Sequence, residues 1–353
     1  MTGEQPRPGT HLEREIGEQP AALERLLVTG RREADRIASA LRARPIDFVT
    51  IAARGTSDNA ARYAQYLFGA NAGLVVALAA PSLFTVYCQA PRLGRSLVIG
   101  VSQSGESPDV VAVVAEGHAQ GAPTLAITNS PGSPLALAAD YVLDLGVGPE
   151  RSVAATKTYT AELMALAMLS AAIGDSADHW EHLAAAPAAV AAAVGLSADV
   201  AARAERYRYA DRLVTCGRGF CYGTAFELAL KLKETCYVMA EPYSPPDFLH
   251  GPVAIVHAGF PVLLVAPGGA AYPDLLALAQ TLAGRGAELV AISDRAELLA
   301  LARTPLRLPV SLPEWLAPIA AIVPGQLLAL HLARAMGLDP DHPRGLSKVT
   351  RTE

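Results

Sequence analysis

One pattern occurs twice in this chain, and that repetition limits its folds more than any other feature. Phe48-Val-Thr-Ile-Ala-Ala-Arg54-Gly55, an apolar run closed by Arg-Gly, is followed by a helix-like stretch from Asp58 to Phe68. Leu213-Val-Thr-Cys-Gly-Arg218-Gly219 leads in the same way into Gly223 to Tyr237, and Arg54 and Arg218 are 164 positions apart. Leu97-Val-Ile-Gly-Val101 answers to Pro261-Val-Leu-Leu-Val265 at the same spacing, and Thr124-Leu-Ala-Ile-Thr-Asn129 to the run from Glu288 to Asp294. Three segments sharing one offset mark a duplication. Within each copy, short apolar runs alternate with amphipathic helical patterns, the signature of a parallel sheet covered by helices. The expected organisation is α/β: a helical segment over 1–45, one half over 46–178, a helical connector over 179–205, a second half over 206–338 and a tail over 339–353. The Ala-rich run Ala184 to Ala204 reads as helix interrupted at Pro187.

Composition removes several function classes. With 353 residues, 51% of them hydrophobic, the chain has enough apolar material for two cores. A net charge of −5, 6% aromatic residues and no basic run leave no electrostatic footprint for nucleic acid. The apolar stretch from Gly251 to Pro273 is broken by Gly259, Pro261, Pro267, Gly268 and Gly269, so no membrane span is predicted. Met1-Thr2-Gly3-Glu4 opens a polar segment without the order of a secretory signal, and a cytoplasmic location is expected. Cys88, Cys216, Cys221 and Cys236 lack metal-type spacing and are read as free buried thiols.

The two copies differ where a ligand would bind. After the run Leu97 to Val101 comes Ser102-Gln103-Ser104-Gly105-Glu106-Ser107-Pro108-Asp109. Ser107 before Pro108 reads as a helix N-cap, so the positive helix end and three hydroxyls surround a site suited to a monophosphate. The Gly-x4-Gly-Lys-Ser/Thr pattern of a nucleoside triphosphate site is absent from this loop. In the second copy the same loop reads Ala266-Pro267-Gly268-Gly269, without a hydroxyl. Thr56 and Ser57, after the preceding run, add hydroxyls at the same sheet edge, where ligands of open α/β sheets sit.

Candidate acid–base groups follow from rarity and spacing. Lysine occurs at only four positions, Lys157, Lys231, Lys233 and Lys348, although arginine is plentiful. An amine can exchange protons or act as a nucleophile where guanidinium cannot, so these lysines are candidates for chemistry. Glu227, Lys231 and Glu234 share one face of an otherwise apolar helix, either as a structural ion ladder or as a charged stripe in a cleft. His250, in Pro245-Pro-Asp-Phe-Leu-His-Gly-Pro252, reads as a proton carrier on a rigid loop. In the tail, Leu346 and Val349 offer apolar surface to bury beside Lys348.

Arg54-Gly-Thr-Ser57, Val101-Ser-Gln-Ser-Gly105, Glu150 with Val153-Ala-Ala-Thr-Lys157, Leu230-Lys-Leu-Lys-Glu234, His250-Gly-Pro252 and Leu346-Ser-Lys348 together resemble the double sugar-isomerase (SIS) domain family. That family includes the isomerase half of glutamine–fructose-6-phosphate aminotransferase and the type II glucosamine-6-phosphate deaminases, and the likeness runs from Glu15 to Lys348. It implies two flavodoxin-like three-layer domains in a homodimer, with no metal or organic cofactor. It implies phosphate binding by Ser102, Gln103, Ser104 and Ser107, and sugar contacts by Thr56, Ser57, Val153, Ala154 and Ala155. Glu234 would carry a proton between C1 and C2, assisted by Lys231. His250, from a neighbouring subunit, would open the ring, and the tail with Lys348 would close the site. Lys157 would be structural.

Met1-Thr2 leads almost directly into the isomerase region, without the aminotransferase's glutaminase domain, so glutamine-dependent amination by this chain alone is not expected. Arg54–Asp58, Tyr66–Phe68, Ala80–Ser82 with Tyr87, Ser107–Asp109 and Gly345–Thr350 look closer to the deaminases. The expected function is therefore conversion of glucosamine 6-phosphate to fructose 6-phosphate and ammonia. A fructosamine-phosphate deglycase, an isomerase-only relative of the aminotransferase and a sugar-phosphate sensor are the alternatives. Against a sensor stands the combination of Glu234, His250 and Lys348, whose proton chemistry pure binding would not use.

Overall fold

The computed structural model describes residues 9–174 and 177–348; the opening Met1–Glu4 and the tail residues Val349 and Thr350 lie outside them. A long helix α1 (His11–Arg42) precedes the first copy. That copy runs β1 (Phe48–Ala52), α2 (Gly55–Ala72), β2 (Val75–Leu78), α3 (Ser82–Thr85), β3 (Ser96–Val101), α4 (Pro108–Ala119), β4 (Thr124–Thr128), α5 (Pro134–Ala138), β5 (Tyr141–Asp144) and α6 (Lys157–Ile173). Three connecting helices follow, α7 (Ala177–Ala184), α8 (Ala186–Val194) and α9 (Ser197–Ala204). The second copy runs β6 (Arg212–Cys216), α10 (Tyr222–Cys236), β7 (Met239–Tyr243), α11 (Pro245–Leu249), β8 (Pro261–Val265), α12 (Tyr272–Gly284), β9 (Glu288–Ser293), α13 (Ala296–Leu301), β10 (Thr304–Arg307) and α14 (Ala317–Ala335).

Both sheets are parallel throughout and have one order, β2-β1-β3-β4-β5 and β7-β6-β8-β9-β10. Phe48 pairs with both Val75 and Ser96, so the order reverses between β1 and β3. That reversal opens a crevice at the carboxyl ends of these two strands.

The expectation of two cores needs correction. Leu97, Ile99 and Val101 of β3 and Leu263, Val265, Val290 and Ile292 of β8 and β9 belong to one shared core. Val98 faces a smaller outer core on the first sheet, and Val262 and Leu264 face another on the second. The period-two alternation of each strand therefore points one face at a common helical layer and the other at its own covering helices. The common layer holds α1, α2, α6, α8, α10 and α14. Lys157 to Ala172 of α6 and nearly all of α14 are buried, so these helices need protein on every side and a single half could not cover them. α14 is long and apolar enough to cross a membrane, but 89% of that window is buried inside the protein, as in a core helix. Gly325 is where α10 and α14 touch: a Cβ there would lie 1.9 Å from Leu228 Cδ2.

The Ala-rich connector breaks twice. Pro187 sits in the first turn of α8 and begins that helix rather than interrupting it. The thiol reading also changes, since Cys88 is exposed while Cys216, Cys221 and Cys236 are buried and free.

Candidate functional site

The crevice between β1 and β3 holds a cavity of about 330 Å³. Its lining includes Arg54 to Ser57 after β1, Ser102, Gln103, Ser104 and Ser107 after β3, Val153 and Ala155 before α6, Glu234 of α10 and Leu346 to Lys348 of the tail. Ten of the thirteen side chains expected at a site therefore meet here, drawn from both copies.

The loop after β3 is built to present hydroxyl protons. Ser102 Oγ accepts from the Gly105 N–H at 3.1 Å and Ser104 Oγ from the Glu106 N–H at 3.3 Å. Each serine thereby spends acceptor capacity on its own loop and keeps its O–H to donate into the cavity. Ser107 is the N-cap of α4 by position, with Pro108 in the first turn, but makes no capping bond, so its hydroxyl is available as well. Gly105 has φ +65°, and a Cβ on it would fall 2.0 Å from Ser133 Oγ; only glycine fits this turn. Arg54 Nε and Nη2 both reach Asp109 Oδ2 at 2.5 Å and tie the β1 loop to the start of α4 across the crevice.

In the second copy the cradle is filled by the protein itself. Glu314 accepts from the N–H groups of Ala270 and Ala271 at 2.7 and 2.9 Å, and Asp294 accepts from that of Gly268 at 2.7 Å. A Cβ on Gly269 would lie 2.2 Å from Glu314 Cδ, so this glycine makes room for an internal carboxylate. The second loop is thus neutralised as well as stripped of hydroxyls.

Glu227, Lys231 and Glu234 form the ladder and also serve the cavity. Lys231 Nζ lies 3.3 Å from Glu227 Oε1 and 2.6 Å from Glu234 Oε2. Burial would favour a neutral amine, but the two carboxylates outweigh it and hold Lys231 charged. Lys231 does not line the cavity; it is 1% exposed and reaches it through Thr56 Oγ1 at 3.3 Å. Glu227 is buried too, accepting from Thr56 Oγ1 and Asn59 Nδ2 of α2, and burial pushes its carboxyl up to about 7 despite the opposing pull of Lys231. Of the three only Glu234 lines the cavity, so the face is a buried ion ladder with one end in the cleft.

The turn before α6 is held from beneath. Glu15 of α1 accepts from the N–H groups of Arg151 and Ser152, and Lys157 Nζ bonds Glu18 Oε2 at 2.5 Å and the Pro149 carbonyl at 2.8 Å. Val153 and Ala155 then face the cavity, while Ala154 points into the core and lines nothing. Glu150 is fully buried; burial would raise its carboxyl, but the Lys348 ammonium and the Thr156 and Thr158 N–H groups outweigh it and leave the group below its usual value. Lys348 Nζ reaches Glu150 Oε2 at 2.9 Å, so the tail lies over the cavity with its lysine anchored. Leu346 is 46% exposed and does not provide the buried anchor expected of it.

His250 stands apart. Ser244 caps the short helix α11 and His250 closes it, so the expected loop is a helical turn. The side chain faces a separate depression at the second sheet with Arg218 and Asp274. Thr158 and Glu162, which do line the main cavity, went unremarked in the sequence. The signal for Glu162 was a lone carboxylate in the long apolar run of α6.

The SIS domain pattern matches residues 47–172 and again 207–336. The chain is 34% identical over 345 residues to glutamine–fructose-6-phosphate aminotransferase of Pyrococcus horikoshii, covering 96% of this chain and 57% of that protein. It is 34% identical to the Thermus thermophilus enzyme of the same name, over 96% of this chain and 58% of that one. The chain thus spans little more than half the length of these relatives. Among solved structures, a Silicibacter pomeroyi protein described as a phosphosugar isomerase has a TM-score of 0.86 at 38% identity, covering 94% of this chain and all of its own. The carboxyl-terminal domain of the Francisella tularensis glucosamine–fructose-6-phosphate aminotransferase follows at 0.85 and 27% identity, covering 95% of this chain and 99% of its own. Two matched copies, on two sheets of one order, place this chain in the double SIS-domain family of sugar-phosphate isomerases.

Proposed function

We propose that the cavity between β1 and β3 performs aldose–ketose isomerisation of an amino sugar phosphate, releasing ammonia from glucosamine 6-phosphate to give fructose 6-phosphate. The observation that carries this reading is that a carboxyl group, Glu234, and an anchored amine, Lys348, open onto the same cavity as the hydroxyl cradle of Ser102, Ser104 and Ser107. The cradle binds the phosphate and fixes the sugar chain in register, which converts proton transfer into an intramolecular step. Gln103 adds an amide to the same grip. Thr56, Ser57 and the Val153–Ala155 turn hold the sugar hydroxyls.

Glu234 takes the proton from C2 and returns it at C1; the C1 oxygen gains a proton as the amine gives one up, so the C1 carbonyl becomes an alcohol and C2 an imine, and the C2 carbonyl forms when that imine is hydrolysed. The amine left on C2 departs as ammonia after water adds to the imine carbon. Lys231, held charged between Glu227 and Glu234, orients the Glu234 carboxylate. Lys348 covers the open-chain sugar and keeps out bulk water. In this reading His250 opens the ring from the partner subunit of a homodimer, consistent with its exposure and its distance from the cavity of its own chain. The same reading makes the chain a cytoplasmic enzyme. Residues 46–178 then form the phosphate-binding domain, 206–338 the domain of the catalytic helix and 339–353 the closing tail.

The test is ammonia release across glucosamine 6-phosphate, phosphorylated fructosamines and unphosphorylated glucosamine, each with and without glutamine. Turnover of glucosamine 6-phosphate alone, independent of glutamine, is the expected result. Equal turnover of glucosamine without its phosphate would remove the role of the cradle, and ammonia from a fructosamine phosphate only would reassign the substrate. Ser102→Ala with Ser104→Ala should raise KM at least about tenfold, because hydrogen bonds to a charged group are worth about 1.5–3 kcal/mol each.

A further inference from the structure

Glu162 lines the cavity and takes no part in the proposed reaction. It is 0% exposed in a helix whose residues from Lys157 to Ala172 are all buried, yet it lines the cavity. Among the described residues its one hydrogen bond is to Ser57 Oγ, 2.7 Å from Oε1, and Oε2 has no partner. A buried carboxylate wants several donors, and one serine is too few. A neutral acid needs one acceptor for its proton, and Ser57 Oγ is in place to provide it.

The consequence falls on Ser57, which lines the same cavity. A serine hydroxyl has one proton. If it donates to a Glu162 carboxylate, it can only accept from a ligand. If it accepts from a Glu162 carboxyl, its proton is free to be donated.

We propose that Glu162 is a positioning residue that sets the direction of the Ser57 hydroxyl: as the neutral acid it donates to Ser57 Oγ and turns the Ser57 O–H toward an oxygen of the bound sugar phosphate, and as a carboxylate it withdraws that proton from the substrate. This rests on the cavity binding a sugar phosphate.

The surroundings favour the acid form. Glu150 before α6 and Glu227 of α10 oppose ionisation, Lys348 of the tail favours it, Tyr159 lies nearby on α6 itself, and Glu234 of α10, paired with the buried Lys231, lines the same cavity. Burial first, then the two carboxylates, outweigh the Ser57 bond and Lys348 and raise the group to about 8. Glu162 is then an acid at neutral pH and ionises as pH rises through that value.

The experiment is titration calorimetry with fructose 6-phosphate from pH 7 to 9.5, where the phosphate ester is already a dianion. The wild-type protein should lose affinity about threefold to tenfold across this range, the effect of losing one hydrogen bond to a sugar oxygen. Glu162→Gln, whose amide donates to Ser57 at every pH, should bind as tightly as wild type at pH 7 and keep that affinity to pH 9.5. Ser57→Ala, which keeps Glu162, should bind more weakly and also without the pH-dependent loss. Parallel affinity curves for wild type and Glu162→Gln, or an unchanged slope in Ser57→Ala, would overturn the role of Glu162 while leaving the sugar-phosphate reading intact. No binding of fructose 6-phosphate by wild type at any pH would instead overturn that reading and the inference with it.

Discussion

Replacing Lys231 by Met tests how the buried charges of α10 are balanced. The ammonium stands between Glu227 Oε1 at 3.3 Å and Glu234 Oε2 at 2.6 Å, and both Lys231 and Glu227 are shielded from water. Methionine keeps the length of the side chain and removes the charge. Breaking a buried pair by deleting one partner costs about 3–5 kcal/mol, because the remaining charge keeps its desolvation penalty without its compensation. Glu227 has an escape, since it can take up a proton.

That escape fixes the sign of the pH dependence. Burial already raises Glu227 to about 7 with Lys231 present, and removing the lysine raises it further. A carboxyl whose folded value exceeds its unfolded one binds an extra proton in the native state. Its stability contribution therefore falls as pH rises from the unfolded value through the folded one. In wild type that fall from Glu227 ends near pH 7; in Lys231→Met it continues. The deficit should widen by up to about 1.4 kcal/mol per pH unit above 7, or about 2 kcal/mol by pH 8.5.

Urea midpoints for wild type, Lys231→Met, Glu227→Gln and the double variant at pH 6 and 8.5 provide the measurement. The double variant should recover most of the loss, with a coupling of at least about 2 kcal/mol. A cost for Lys231→Met below about 1 kcal/mol at both pH values, or a gap that does not widen at pH 8.5, would refute the argument.

Glu234→Gln should lower turnover by roughly 10²–10⁴ while sugar phosphate still binds, as loss of a general base requires; hydrogen exchange at C1 or C2 persisting at the wild-type rate would exclude Glu234 as the proton carrier. Lys348→Arg should reduce kcat at least about tenfold, nearly as much as Lys348→Ala, since a guanidinium fork cannot reproduce a compact ammonium against Glu150 Oε2 at 2.9 Å. Full activity of the arginine variant would mean that charge alone matters there. Gly325→Ala should cost about 1–3 kcal/mol in thermal unfolding, because its methyl would enter the space of Leu228 Cδ2, 1.9 Å away. An unchanged melting temperature would mean that the α10–α14 contact yields without strain.

The sequence by itself was sufficient wherever the relevant groups are close in the chain. Ser102, Gln103, Ser104 and Ser107 sit on one short turn, so strand, glycine and N-cap proline placed them without knowledge of anything distant. The four- and three-residue spacings of Glu227, Lys231 and Glu234 put them on one helix face by geometry alone, and the 164-residue repeat announced two sheets of one order. Spacing cannot say what a face meets. That the Glu227–Lys231 pair packs against α2, that Glu314 fills the vestigial cradle 44 residues from Ala270, and that Glu162 bonds a serine 105 residues away were decided only when the layers closed. The physical reason is the shared helical layer. Apolar faces of both sheets must be buried at once, and the one packing that does so selects which polar groups along those helices come within hydrogen-bond reach. His250 marks the boundary of that effect, since no burial draws its exposed side chain toward the cavity of its own chain.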